Sequence, residues 1–263
     1  VTPDGMIVSC LMVTQPLAAR LAHVQKSVAG YLAQTYRARE LIVVIDPSSG
    51  TPPDTLLAYL AALNRPDIRV VTVPRPATLG RLRNVAREHA GGEIICQWDD
   101  DDLYHPMRLE TQMAALLAGD HEAVLLADVL QYVPARGAMY WTNWRATPAG
   151  GHPGTLMARR AAPIRYPEIG EAAARGEDLA VALALRRRGG LGHLAGQAHL
   201  FIYVSHGANT WSAAHHEMLI SSLAISQALL RRREAGLRAS LAPFALPPGQ
   251  VEFFGVNGAA FTL

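Results

Sequence analysis

Between Met6 and Trp98 the chain alternates short apolar runs with stretches whose apolar residues recur every three or four positions. Runs of the first kind read as buried strands and stretches of the second as helices that lie on them. Strand–helix–strand alternation builds a mostly parallel sheet with helices on its faces. MIVSCLMV at 6–13 reads as the first strand, and Leu17, Leu21, Val24, Val28 and Leu32 share one face of the helix behind it. LIVVID, opened by Glu40 and closed by Asp46, is the second strand. A loop from Pro47 to Gly50 leads to a helix marked by Leu56, Leu60 and Leu63. IRVVTV at 68–73 is the third strand, a helix runs from about Leu79 to Ala90, and Gly91-Gly92 breaks it before EIICQW at 93–98.

Beyond this frame the pattern is less regular. Pro106 reads as the first residue of a helix to about Ala118 and AVLLADVLQYV as a strand, followed by a Trp-, Gly- and Pro-rich loop over 140–154. TLMARR reads as a short strand, Leu179 to Arg188 as a helix, HLFIYV as a strand, and His216 to about Leu237 as one long terminal helix. With 263 residues, half of them hydrophobic, the chain has enough material for one sizeable core. Charged residues make up 17% and the net charge is +2, so no global field points to nucleic acid. Cys10 and Cys96 are the only cysteines and both fall in strand-like runs, which argues for reduced thiols and a cytoplasmic setting. No apolar stretch is long enough to span a membrane, and the start VTPDGM lacks the features of a signal peptide; peripheral association with the inner membrane face stays compatible.

Four successive aspartates, Asp99 to Asp102 in QWDDDDLYHP, follow the fourth predicted strand, and Asp46 ends the second. Open parallel sheets take ligands in the crevice beyond the carboxyl ends of their strands. So much like charge is costly unless a cation or solvent compensates it, and hard divalent ions are its natural partners; the alternative is a solvated acidic turn.

Three stretches together resemble family 2 glycosyltransferases of the GT-A fold: VSCLMVT at 8–14, AQTYRARELIVVID at 33–46 and GGEIICQWDDDDLYHPMRLE at 91–110. With later matches the resemblance runs to about Trp211. It implies an α/β fold with a mostly parallel central sheet and a smaller acceptor-side region: one domain with a donor half at about 6–110, an acceptor half at about 111–216, and a terminal helix and tail over 217–263. It also implies a nucleotide-sugar donor, a UDP-sugar first, and an Mn2+ or Mg2+ ion bridging the donor phosphates. Asp46 would meet the base with Thr14 at the pocket edge, Asp99 and Asp100 would lie near ribose and diphosphate, and Asp101 would hold the metal. Arg83 in LGRLRN matches a basic position facing the nucleotide, with a solvated helix arginine as the alternative. Asp178 in GED at 176–178 matches the general base of inverting members, with Glu177 beside it; a helix cap is the other reading. His206 in YVSHGANTW matches a late histidine ligand, whereas the adjacent His215 and His216 face different ways and make poor joint ligands. Trp141, Trp144 and His152 fall in stretches like the acceptor loop, where indole rings serve sugars as platforms unless they belong to the core. The acceptor would be a saccharide or other hydroxyl compound in cell-surface glycan assembly.

The chain departs from the family where Gln15-Pro16 stands for a usual Tyr-Asn and Pro47-Ser48 for Asp-Gly, both beside the base pocket. The segment from about Glu217, with Arg231 to Arg233, matches no motif. A nucleotidyltransferase would place a glycine-rich phosphate loop after the first strand, where this chain has Thr14-Gln15-Pro16-Leu17. A degenerate binding module would have lost Asp101 or Asp178, and both are present.

Overall fold

In the computed structural model, residues 5–244 and 246–263 are described, so most of the VTPDGM start lies outside the described residues. The first part follows the expected order: β1 (Val8–Thr14), α1 (Ala18–Leu32), β2 (Arg39–Ile45), α2 (Asp54–Ala62), β3 (Ile68–Thr72), α3 (Leu79–Glu88) and β4 (Ile94–Gln97). β1 lies parallel between β2 and β4, with Val8 opposite both Arg39 and Ile94. Alternate residues of β1 and β2 enter two cores: Cys10, Met12, Leu41 and Val43 pack with α1, and Leu11, Ile42 and Val44 pack with α3. Burial on both faces explains why these strands read as continuous apolar runs rather than alternating ones.

The sequence runs from β1 outward through β2 to β3 and then returns to β4 on the other side of β1. That reversal opens a crevice at the carboxyl ends of β1 and β4, and Asp99 to Asp102 follow β4 at its mouth. The sheet continues through β6 (Ala123–Leu126), β9 (Met157–Arg159) and β10 (Leu191–Leu194) in the order β10-β6-β9-β4-β1-β2-β3, with β9 antiparallel to both neighbours.

AVLLADVLQYV is two strands rather than one. β6 ends at Leu126 in the first sheet and β7 (Asp128–Val133) begins a second, the joint at Ala127 being held by its N–H to the Leu194 carbonyl and its carbonyl from the Trp144 N–H. β8 (Ala138–Asn143) pairs antiparallel with β7, so the expected loop over 140–154 starts as a strand. β11 (Phe201–Val204) lies parallel to β7, and the two-residue β5 (Leu103–Tyr104) pairs with β11. This pairing delays the next helix: α4 (Arg108–Ala118) starts two residues after Pro106, whose turn is closed by the Arg108 N–H to the His105 carbonyl.

The expected terminal helix is two, α7 (Ala213–Leu223) and α8 (Gln227–Leu241). Between them Ala224 bridges to Thr142 and the Ile225 N–H bonds the Trp141 carbonyl, so the backbone leaves the helix to pair with β8. Ser226 then caps α8 through its side chain. The tail forms a hairpin, β12 (Glu252–Gly255) and β13 (Gly258–Thr262), that extends the second sheet parallel to β8. Phe253 is wholly buried there beside Leu230 and Leu237 of α8, so the tail without a motif packs on the core. No helix among the described residues is long and apolar enough to cross a membrane.

Candidate active site

A cavity of about 340 Å³ lies in the crevice, with Asp99 to Asp102 on one wall and Gly176, Glu177 and Asp178 on another. The second wall is placed by α6 (Glu177–Arg187), whose first turn follows Gly176 in the left-handed region at φ 83°, a conformation that favours glycine. α5 (Glu171–Ala174) precedes it.

The two walls are tied by Arg83 on α3. Its Nε donates to Glu177 at 2.6 Å and its Nη2 to Asp99 at 2.8 Å, both with the arginine almost fully buried. Arg83 therefore holds the walls in register, and Glu177 is committed to this bridge rather than free to carry protons. Asp178 keeps its carboxylate on the cavity, accepting among the described residues only the Leu179 N–H. Burial, and then the charge of Glu177, push its carboxyl up to about 7 against the pull of Arg83. The capping alternative is not realised, since Gly176 and not Asp178 stands at the cap position.

The aspartate run has four different fates. Asp102 is buried and accepts the Val204 N–H, which anchors β11; burial, Asp101 and Asp99 hold it well above the carboxylate range. Asp99 takes Arg83 and the Gln97 amide. Asp100 accepts Thr14 Oγ1 at 2.6 Å and is gripped by Arg20, whose Nε bonds Oδ2 at 3.0 Å while Nη2 bonds Oδ1. Asp101 accepts Arg20 Nη2 at 3.2 Å, His206 Nε2 at 3.0 Å and the Asn209 amide at 3.5 Å. Burial raises both carboxyls, and Asp101 adds to that effect on Asp100; at Asp101 the His206 hydrogen bond and the Arg20 charge prevail and lower it. Arg20 carries no sequence motif. It is the third residue of α1, and His23 one turn on stacks against His206 with ring centroids 4.3 Å apart.

These contacts test whether the residues fit a divalent ion. The Ala208 N–H approaches His206 Nδ1 at 3.3 Å and the Asp101 carboxylate lies 3.0 Å from Nε2, a pair of contacts that suits the tautomer with its hydrogen on Nε2, while the Asn209 amide nitrogen lies 3.2 Å from the same atom. A metal-binding imidazole presents a lone pair there instead. With a guanidinium on Asp100 and on Asp101 Oδ2 besides, Asp101 Oδ1 is left as a lone oxygen ligand, which does not fit a metal, and among the described residues no group of three or more His, Cys, Asp or Glu side chains is placed to hold one.

The remaining expected residues lie in two places. Asp46 is outside the cavity lining, its carboxylate taken by the Gln15 amide, the Ser48 N–H and the Ser48 hydroxyl; the two departures from the family motif thus bond to the aspartate between them. Thr14 serves Asp100. Trp144 and His152 line the cavity and pack edge to face at 4.5 Å, but both are largely buried, and the Trp144 indole N–H is spent on Thr142. Burial and Arg108 lower the His152 imidazole to about 3, so it stays neutral. Trp141 belongs to the core of the second sheet under Arg233 and is no platform. His216 is buried against the Tyr203 hydroxyl, whereas His215 lines the cavity and stacks on Trp211 at 4.2 Å. Trp211, half-buried with Arg175 over its ring, is the more open indole of the cavity lining. Its sequence signal, the end of YVSHGANTW, was a tryptophan in a loop of polar and small residues.

A family model described as Glycosyl transferase family 2 matches residues 17–159, more than half of the chain. No curated protein sequence matched the chain. Among solved structures, S. aureus TarS 1-349 in complex with UDP superposes with a TM-score of 0.58 at 16% identity, over 92% of this chain and 76% of that one. The same protein in complex with UDP-GlcNAc gives 0.57 at 17% identity, over 92% and 68%. A structure of S. aureus TarS gives 0.53 at 17% identity, over 91% of this chain and 43% of that one. At these identities the likeness establishes the fold, the mostly parallel α/β fold of GT-A enzymes.

Proposed function

The chain belongs to glycosyl transferase family 2, and from that premise we propose that it is an inverting transferase moving a sugar from a UDP-sugar to an acceptor hydroxyl. The observation that carries this reading is the placement of Asp178. Its carboxylate stands on the cavity, across from the aspartates that follow β4, with a proton affinity near neutrality. A base poised there takes the acceptor proton as the acceptor oxygen bonds to the anomeric carbon; the bond to the donor diphosphate breaks and its electron pair leaves with the nucleotide. Glu177 positions through Arg83 rather than reacting.

UDP is favoured because two of the solved structures most similar to this one are complexes with UDP and UDP-GlcNAc. The donor would lie along the carboxyl ends of β1 and β4, with the acceptor against Trp211, Trp144 and His152. Mn2+ or Mg2+, which the family resemblance implies, has no role in this scheme, since Asp101 and His206 are engaged with each other and with Arg20. A cytoplasmic reaction on a saccharide acceptor in glycan assembly, within one domain of donor and acceptor halves, completes the reading.

Calorimetric titration of UDP, GDP, TDP and their sugar conjugates tests it. Binding of the uridine compounds alone, with saturation at one site per chain, is expected. Preference for another base corrects the donor, and binding of none removes the transferase reading.

A further inference from the structure

Resting on the donor reading just given, one feature of the site goes beyond it. The donor diphosphate brings at least two negative charges to a wall that already carries Asp99, Asp100 and Asp101, so a cation has to stand between them. Among the described residues two arginines line the cavity, Arg83, which is 9% exposed and bridges Asp99 to Glu177, and Arg20, which is the more open of the two. Its side chain is 20% exposed, lines the cavity, and is fixed by a fork on Asp100 with a third bond to Asp101. These bonds use Nε and Nη2, so the two N–H donors of Nη1 are uncommitted among the described residues. A guanidinium with one edge on carboxylates and other donors free is suited to phosphate oxygens, which it meets in a planar, multidentate way.

The neighbours keep the position for an arginine. His206 presents N–H and not a lone pair to Asp101, Asn209 adds a second donor there, and His23 of the same helix stacks on His206 and closes that side. A divalent ion would meet Asp101 through Oδ1 alone, since Oδ2 already accepts from Arg20, His206 and Asn209, and to gain His206 as a second ligand it would have to turn that imidazole against the Ala208 N–H.

We propose that Arg20 is the cation that receives the donor diphosphate, so that this chain binds its nucleotide-sugar without a divalent metal. As the bond to the anomeric carbon breaks, the charge gathering on the leaving phosphate is met by a donor already in position.

The test uses the full chain. UDP is titrated in EDTA and again with Mn2+ or Mg2+, and Mn2+ alone is titrated with the free-ion electron paramagnetic resonance signal as readout. Arg20→Met and Arg20→Lys are measured in parallel, with unfolding curves to show that they fold. The proposal expects the same UDP affinity with and without metal, no Mn2+ uptake, and binding about ten- to a hundredfold weaker in Arg20→Met, as for loss of charge-assisted hydrogen bonds. Arg20→Lys should fall between, because it keeps the charge and loses the fork. UDP binding that requires a metal overturns the proposal and leaves the donor reading standing, as does full affinity in Arg20→Met. If the Met variant does not fold, the wild-type titrations with and without metal decide alone. Failure of UDP and its conjugates to bind under any condition ends the donor reading and this proposal with it.

Discussion

At the scale of the residue, the site is organised by which carboxylates are already occupied. Asp99, Asp100, Asp101 and Glu177 are each bonded to an arginine, Asp102 holds a strand, and Asp178 alone accepts no more than its neighbour's N–H. Asp178 carries three predictions. Asp178→Asn should keep UDP binding and lower transfer about a hundredfold or more, measured as initial rates at saturating donor. Since the base works only when ionised and its carboxyl lies near 7, the rate of the parent enzyme should fall tenfold per pH unit below about 7 and level off above it. The stability linkage has the matching sign. A carboxyl raised in the fold favours the protonated form, so its contribution is lost as pH rises from the ordinary aspartate range through 7, and Asp178→Asn should be more stable than the parent at pH 8 in urea. Arg83 gives a fourth prediction. Removing it as Arg83→Met leaves Glu177 buried beside Asp99 without a partner, which should lower unfolding stability by about 3 kcal/mol or more in denaturant titrations.

At the scale of the element, what could be read in the sequence and what could not divide along physical lines. β1, β2 and β4 are apolar on both faces, so they stood out as runs, and the crevice at their ends followed from the order of elements. β6 and β7 read as one strand because nothing in AVLLADVLQYV marks the change of sheet at Ala127, which is set by hydrogen bonds to Leu194 and Trp144 far along the chain. The break between α7 and α8 is likewise made by pairing with β8, and Ser226 was its one local signal. Arg20 escaped notice for a related reason: within α1 it is a polar residue beside an apolar stripe, and only the fold brings it to Asp100, 80 positions away. The tail lacked any motif because its role is packing. Phe253 is wholly buried and stacks on Phe261 at 4.7 Å, so Phe253→Ala should cost about 3–5 kcal/mol of stability, read from urea unfolding. An unchanged unfolding midpoint would mean that the hairpin is not part of the cooperative unit.

At the scale of the whole molecule, two sheets meet at Ala127, and the cavity is linked to that joint through Trp144, which lines it and donates its backbone N–H to the Ala127 carbonyl. The first sheet supplies the aspartates through β4, while the second supplies Tyr203 and, beyond it, the loop with Asn209 and Trp211. The proposed donor and acceptor sides thus fall to different parts of the structure, and Arg83 and Asp102 tie the aspartate run to α6 and to β11. The central claim is that Asp178 drives attack on the anomeric carbon from the face opposite the leaving nucleotide. The most direct test is proton NMR of turnover with α-linked UDP-glucose, UDP-galactose and UDP-GlcNAc, with water or a simple saccharide as acceptor, in the parent and in Asp178→Asn. The account predicts that at least one donor is consumed, that the product first appears with β configuration, and that the variant is nearly silent. A product that first appears as the α anomer, or an Asp178→Asn enzyme that turns over like the parent, would contradict it.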